Sequence, residues 1–423
     1  MSVKRVYVDS IVIGGGAAGL AAAIKLKDLD VDKVMLVDDR ARLGGVLPQC
    51  IHTGFGVHCL KRDLTGPEFA EILSSYLLDK GVEILLEARA LELRYVNYYE
   101  KSVIVVSRRG LVDVRAKTVI VATGARERTV YEIGVVGDRP AGVYTAGTVQ
   151  TLMDLYGVMP GKEIVIIGSG DVGLIVARRL ALQGALVKAV VEAKPWPGGL
   201  IRNVVQCLED FEIPLLLSHV VKRIIGRERV EKVIVAKVDD ELNPISGTEV
   251  EITCDTVVIA AGLKPEVKLL EGAGVLMDPD TGGPVVNEYL ETTLPGVFVS
   301  GNALVINDLV DTVVEQGEIA AEGAKLFIDD EMTAKYYLRV VRGDNVKFVV
   351  PQMLMGLREE ITLYGRVVKP IERAVINIPE IGLTSRKAKI VPAEMFKINL
   401  LEREIYRNVE GHKVTVNVLS EGT

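Results

Sequence analysis

The chain has 423 residues, enough for two or three domains around sizeable apolar cores. With 49% hydrophobic and 25% charged residues its composition is that of a globular protein, which rules out wholesale disorder. Lysine and arginine total 50 against 57 aspartates and glutamates, a net charge of −7, and this acidic balance argues against a nucleic-acid binder.

At the N-terminus, Lys4 and Arg5 precede an apolar run from Ile11 to Ile24 that superficially resembles a secretory signal. Three consecutive glycines interrupt the run, Lys25, Lys27 and Asp28 follow it, and it is too short to span a bilayer. It reads better as a strand (Val8 to Ile13), a turn and a helix (Ala17 to Leu29). The turn, Gly14-Gly15-Gly16-Ala17-Ala18-Gly19, matches GxGxxG. In such a turn Gly14 permits the bend, Gly16 lets the backbone approach a pyrophosphate, and Gly19 allows close helix–strand packing. The phosphates sit at the positive end of the helix. A second strand, Lys33 to Val37, ends at Asp38, 19 residues after Gly19, where an acid can accept hydrogen bonds from a ribose.

The pattern recurs. A strand from Lys162 to Ile167 leads into Gly168-Ser169-Gly170-Asp171-Val172-Gly173, a helix from Leu174 to Leu182, and a strand from Val187 to Val191 that ends at Glu192. Glu192 again stands 19 residues after the last glycine of its motif. Two such units imply two dinucleotides, one held tightly and one exchangeable.

On these residues the chain resembles the two-dinucleotide-binding flavoproteins of the pyridine nucleotide-disulfide oxidoreductase superfamily. Further segments carry the resemblance: the ATG run in Thr118 to Ala125, its counterpart DTVVIAAGLK from Asp255 to Lys264, and TTLPGVFVSGN from Thr292 to Asn302. The likeness covers about residues 5–330 and implies FAD at the first site and NAD(H) at the second. It assigns Gly14, Gly16, Ala17, Ala18, Gly19, Asp38, Gly45, Thr123, Gly124, Gly301 and Asn302 to FAD. To NAD(H) it assigns Gly168, Gly170, Asp171, Val172, Gly173, Glu192 and Gly262. Asn302 departs from the acid usual at its position and bonds a ribityl hydroxyl without charge. The helix at Asp311 to Lys325 would face the flavin with its positive end.

The implied fold is α/β: two Rossmann-like dinucleotide-binding domains, the second inserted in the first, followed by a small C-terminal antiparallel β domain. The boundaries expected are 1–135 and 281–330 for the FAD domain, 136–280 for the NAD(H) domain and 331–423 for the β domain. In the last region short strands are expected at Lys347–Val350, Ile361–Val368, Arg373–Ile378, Ala388–Ile390, Glu394–Leu400 and Lys413–Leu419. It either docks a partner or simply packs against the FAD domain.

In the disulfide reductases of the superfamily, redox cysteines lie two and seven residues after a glycine pair. The matching positions after Gly44-Gly45 are Leu47 and His52, so the dithiol is missing. The segment LGGVLPQCIHTGFG (43–56), with GVYTAGTVQ (142–150) and ARRL (177–180), resembles a smaller subfamily. That group holds NADH oxidase-like chains and the flavin subunits of opine oxidases, hydrogen cyanide synthase and dye-linked proline dehydrogenases. It implies a second dehydrogenase or electron-transfer subunit as partner, an oligomer, and a role beside a glycerol-3-phosphate dehydrogenase. Cys50 and His52 are the catalytic candidates, with His52 lowering the pKa of a redox thiol; the alternative is a small residue packed in a glycine-rich loop. Cys50, Cys59, Cys207 and Cys254 form no CxxC pair, so no metal site is expected and a reducing cytoplasm fits.

Overall fold

The computed structural model describes residues 4–408 and 411–421; the ends of the expected domains that fall on 1–3, 409–410 and 422–423 lie outside them. The chain divides into two compact units, residues 1–125 with 265–423, and residues 126–264. These divisions fall ten and sixteen residues before the boundaries expected at 135/136 and 280/281, and the last ninety residues cluster with the first unit. The cause is packing. Val135, with Val130 and Ile133, joins the core of the second unit around Val165, Val221 and Val257. Val267, Leu270 and Val275 belong instead to the core of the first.

The first unit is built on a sheet ordered Glu83–Leu85, Val34–Val37, Lys4–Ile13, Gly110–Val121, Glu100–Ser107, Ala88–Asn97, with Val297–Val299 also on Gly110–Val121. Fully buried residues on Lys4–Ile13 and Val34–Val37 read as continuous apolar runs because helices cover a parallel sheet. Register aligns Ile13 with Val37 and with Val121, and Val121 with Val299. Four strands therefore end together, beside the turn at Gly14. The apolar run at the N-terminus is thus a strand and the helix Ala17–Asp28, and no helix among the described residues is long and apolar enough to cross a membrane.

The second unit repeats the plan. Leu215–Leu217, Leu186–Glu192, Glu163–Ile167, Thr256–Ile259 and Val143–Thr145 form a five-stranded parallel sheet in that order. A second sheet pairs Val250–Thr253, Lys232–Lys237 and His219–Ile225 antiparallel.

Residues from Leu338 on form two sheets over a separate apolar cluster that includes Val340, Leu363, Ile376 and Val416. One holds Met353–Leu354, Leu338–Arg342, Lys413–Ser420, Ile371–Ile378 and Leu383–Ile390; the other holds Val346–Val350, Glu360–Val367 and Phe396–Leu401. The region is antiparallel throughout except where Leu338–Arg342 runs parallel to Lys413–Ser420. It is pinned to the rest of its unit by buried groups. Glu288, only 3% exposed, accepts from the backbone N–H groups of Met355 and Leu357, and burial holds its carboxyl above the usual range.

Candidate functional site

In the first unit the glycine-rich turn is enforced by contact. A Cβ on Gly14 would lie 2.3 Å from the carbonyl oxygen of Ala122, and one on Gly19 would lie 1.7 Å from that of Gly14. Gly16 differs: a Cβ there would meet nothing nearer than the Cα of Gly45 at 3.8 Å. Gly45 has φ +57°, and a Cβ on it would come within 2.9 Å of the Cα of Gly16. Two glycines thus face each other across a notch at the start of the Ala17–Asp28 helix, whose first N–H groups have no intrahelical partner. Ala18 turns its side chain inward: a Cβ on Gly301 would touch it at 2.8 Å, so only its backbone N–H is available to a ligand.

Asp38 closes the turn, accepting from the N–H of Gly15 at 2.5 Å and of Arg40 at 2.8 Å. Each of its oxygens keeps a lone pair for a ribose hydroxyl. A cavity of about 390 Å³ lined by Asp39, Glu87, Arg89, Val106 and Ser107 lies beside this strand end. Thr123 donates its hydroxyl to the carbonyl of Glu266, and Gly124 accepts from the N–H of Glu266. Asn302 sits in the short turn Gly301–Ala303, and its side-chain oxygen accepts from the N–H of Asn307 at 3.0 Å.

The loop that follows Cys50 and His52 reaches the helix Val310–Ile328. Asp311 in its first turn accepts from the N–H groups of His58 at 2.9 Å and Cys59 at 2.7 Å. Burial alone would raise the Asp311 carboxyl, but these bonds and the Cys59 thiol outweigh it and hold it below its ordinary range. Burial, and then the carboxylate beside it, push the Cys59 thiol up to about 12, so it is no thiolate at neutral pH. Cys50 donates to the carbonyl of Val46, while His52 donates through Nδ1 to the carbonyl of Thr53 and stacks near Phe55.

The second unit builds the same notch. Cβ atoms on Gly168 and Gly173 would strike the carbonyl oxygens of Ala260 and Gly168, whereas one on Gly170 would meet nothing within 4 Å. Glu192 accepts from the N–H and hydroxyl of Ser169 and from the N–H of Lys194. Six residues after each acid comes a glycine pair, Gly44-Gly45 and Gly198-Gly199, a spacing legible in the sequence yet not read from it. Gly198 donates to the hydroxyl of Ser169 and lies against Gly170 as Gly45 lies against Gly16. Asp171, expected at the nucleotide, accepts through Oδ1 from the N–H of Leu200 and the amide of Asn203, which ties the glycine-pair segment down. Val172 is exposed. Gly262 has φ +99°, and its carbonyl accepts from the N–H of Arg128.

Each notch has what a diphosphate needs: an open face where a Cβ would intrude and helix N–H groups without an intrahelical partner, with an acid beside it. Among the described residues no group of three His, Cys, Asp or Glu is placed to hold a metal ion.

Comparisons with known proteins agree with this geometry. Residues 8–321 match the family described as pyridine nucleotide-disulphide oxidoreductase. The chain is 27% identical over 322 residues to sarcosine oxidase subunit alpha from Corynebacterium sp. (strain P-1), covering 71% of this chain and 31% of that one. It is 25% identical over 312 residues to the CoA-dependent NAD(P)H sulfur oxidoreductase of Pyrococcus abyssi, covering 71% and 64%. It therefore spans about a third of the first relative and under two thirds of the second. The thioredoxin reductase of T. acidophilum shares the fold, with a TM-score of 0.62 at 23% identity over 75% of this chain and 98% of that one. The chain belongs to the pyridine nucleotide-disulphide oxidoreductase family, which implies FAD and NAD(P)H as its cofactors.

Proposed function

We propose that the chain exchanges hydride between NAD(H) and FAD and passes the electrons to a partner dehydrogenase subunit or a small acceptor. The observation that supports this most is the pair of matching notches, each with a glycine that a side chain would fill, an acid and a glycine pair. The first unit, residues 1–125 with 265–423, carries the FAD domain, and residues 126–264 are the NAD(H) domain. FAD, when bound, supplies a two-electron acceptor. The backbone around Gly14, Gly16, Ala17, Ala18 and Gly19 holds its diphosphate and Asp38 its ribose, with Gly45, Thr123, Gly124, Gly301 and Asn302 along the rest. The Val310–Ile328 helix favours negative charge on reduction. Gly168, Gly170, Gly173 and Glu192 hold NAD(H), with Gly262 and Val172 at its margin. Glu192 repels a 2′-phosphate, so NADH is preferred over NADPH. Reduction of the flavin followed by stopped flow checks this; faster reduction by NADPH at equal concentration would contradict it.

With Leu47 and His52 in place of the dithiol, electrons need another exit. Cys50 and His52 are the candidates for chemistry beside the flavin, and the C-terminal β region is the candidate dock in a cytoplasmic oligomer. On this reading the isolated chain oxidises NADH quickly with artificial dyes and slowly with oxygen.

A second reading makes the chain the FAD subunit of an amine, opine or proline-type dehydrogenase complex whose second nucleotide site is not catalytic. Its similarity to a sarcosine oxidase subunit favours this reading. So does Asp171, whose Oδ1 is engaged by Leu200 and Asn203. Anaerobic addition of NADH separates the two: bleaching of the flavin supports the first, and retained colour the second.

A further inference from the structure

Asn302 holds the position where the family has an acid, and its orientation can be read from chemistry alone. Its Oδ1 accepts from the backbone N–H of Asn307 at 3.0 Å. A backbone N–H only donates, so the oxygen of Asn302 must face it and Nδ2, a donor, must face the other way. Asn307 is fixed in turn. Its amide forms a reciprocal pair with that of Gln316 at 3.0 and 3.1 Å, and Gln316, in the Val310–Ile328 helix, is 0% exposed.

The residues flanking Asn307 are gripped from the C-terminal β region. Arg366, in the strand Glu360–Val367, donates through Nη2 to Asp308 at 2.5 Å and to the carbonyl of Ile306 at 3.4 Å, and through Nη1 to the carbonyl of Pro392 at 2.8 Å. The two charged side chains are only 13% and 16% exposed. The other oxygen of Asp308 accepts from the N–H of Met395, and Lys397 pairs with Glu315, the neighbour of Gln316. Arginine suits this place because its planar fork holds donors toward three acceptors in fixed directions, which the single point charge of a lysine does not.

We propose that Arg366 is a positioning residue for the flavin site. Through Ile306 and Asp308 it sets Asn307, and through Asn307 it turns the amide nitrogen of Asn302 toward FAD as a donor. The β region is then part of the flavin site and not only a surface for partners. The proposal rests on the reading of Asn302 as a contact to FAD.

The test measures the FAD dissociation constant of the full-length chain by flavin fluorescence, with the thermal unfolding midpoint of the FAD-free chain alongside. Arg366→Met and Asn302→Ala are each expected to weaken FAD binding about tenfold, and the double variant no more than Asn302→Ala alone, because the two act in series. Arg366→Lys, which keeps one of the three acceptors, is expected to fall between wild type and Arg366→Met and guards against a variant that fails to fold. Arg342→Met breaks the ion pair to Asp280, a separate link of the same region, and is expected to lower the midpoint without changing FAD affinity. Unchanged FAD affinity in Arg366→Met, or losses that multiply in the double variant, would overturn the proposal. Unchanged affinity in Asn302→Ala would instead overturn the reading of Asn302 on which it rests.

Discussion

At the scale of single residues, the glycines of each motif divide into two kinds. Gly14, Gly19, Gly168 and Gly173 are demanded by the fold, since a Cβ on any of them would strike backbone at 2.5 Å or less. Gly16 and Gly170 are not: the nearest atom to a Cβ on Gly16 is 3.8 Å away, and Gly170 has none within 4 Å. Gly16 also has φ −78°, which any residue adopts. The consequence is a separation of effects. Gly16→Val is expected to fold with an unchanged unfolding midpoint in its FAD-free form and to bind no flavin, whereas Gly14→Val loses the fold. Gly170→Val is expected to keep FAD and lose reduction by NADH. Flavin content after purification, set beside circular dichroism, checks all three; full flavin in Gly16→Val would contradict the assignment of the first notch.

At the scale of elements, one buried charge links several of them. Lys101, 0% exposed, donates to the carbonyls of Tyr98 at 2.6 Å and Lys117 at 2.9 Å and lies 4.3 Å from the ring centre of Phe327. Burial lowers it from 10.5 to about 8, and attraction to Glu291 only partly offsets this. Below pH 8 both folded and unfolded chains carry the proton, and the folded chain bears the full cost of burying the charge. Between about 8 and 10.5 the folded chain releases its proton first, so stability rises with pH. Against Lys101→Met, wild type should gain up to about 3 kcal/mol of unfolding free energy across that window. Denaturant unfolding at several pH values measures it, and a flat difference would contradict the burial of this charge.

The elements also show what local sequence carries. The strand–turn–helix units were legible because GxGxxG, a strand before it and an acid 19 residues on are all local patterns. The helix Val310–Ile328 was expected from the family resemblance, while most C-terminal strands were legible too, from alternating character and from Pro and Gly between them. The strand Leu338–Arg342 was not, since its place depends on pairing with Lys413–Ser420 across more than seventy residues. In the site, sequence pointed to Asp38 and Glu192 but missed Asn307, Gln316, Asp311 and Arg366. Asp311 and Arg366 act by hydrogen bonds to groups distant in the chain, and Asn307 and Gln316 by amide pairing within the 302–316 segment; no motif announces such bonds. The bonds of Asp171 Oδ1 to Leu200 and Asn203, some thirty residues on, were not legible either.

At the scale of the whole molecule, two units share one plan, and a β region with its own core is fastened to the first of them. On the proposed reading, FAD in one unit and NAD(H) in the other exchange hydride by positioning, with no acid or base required at the reacting atoms. The substitutions that separate the two sites make this testable as a whole. The most direct measurement is anaerobic titration of the purified, flavin-loaded chain with NADH, followed by the visible flavin absorption, in wild type and Gly170→Val side by side. The expected result is stoichiometric bleaching in wild type and none in Gly170→Val at equal flavin content. Retained colour in wild type at saturating NADH, or equal bleaching in both chains, would contradict hydride transfer from the second notch to the first.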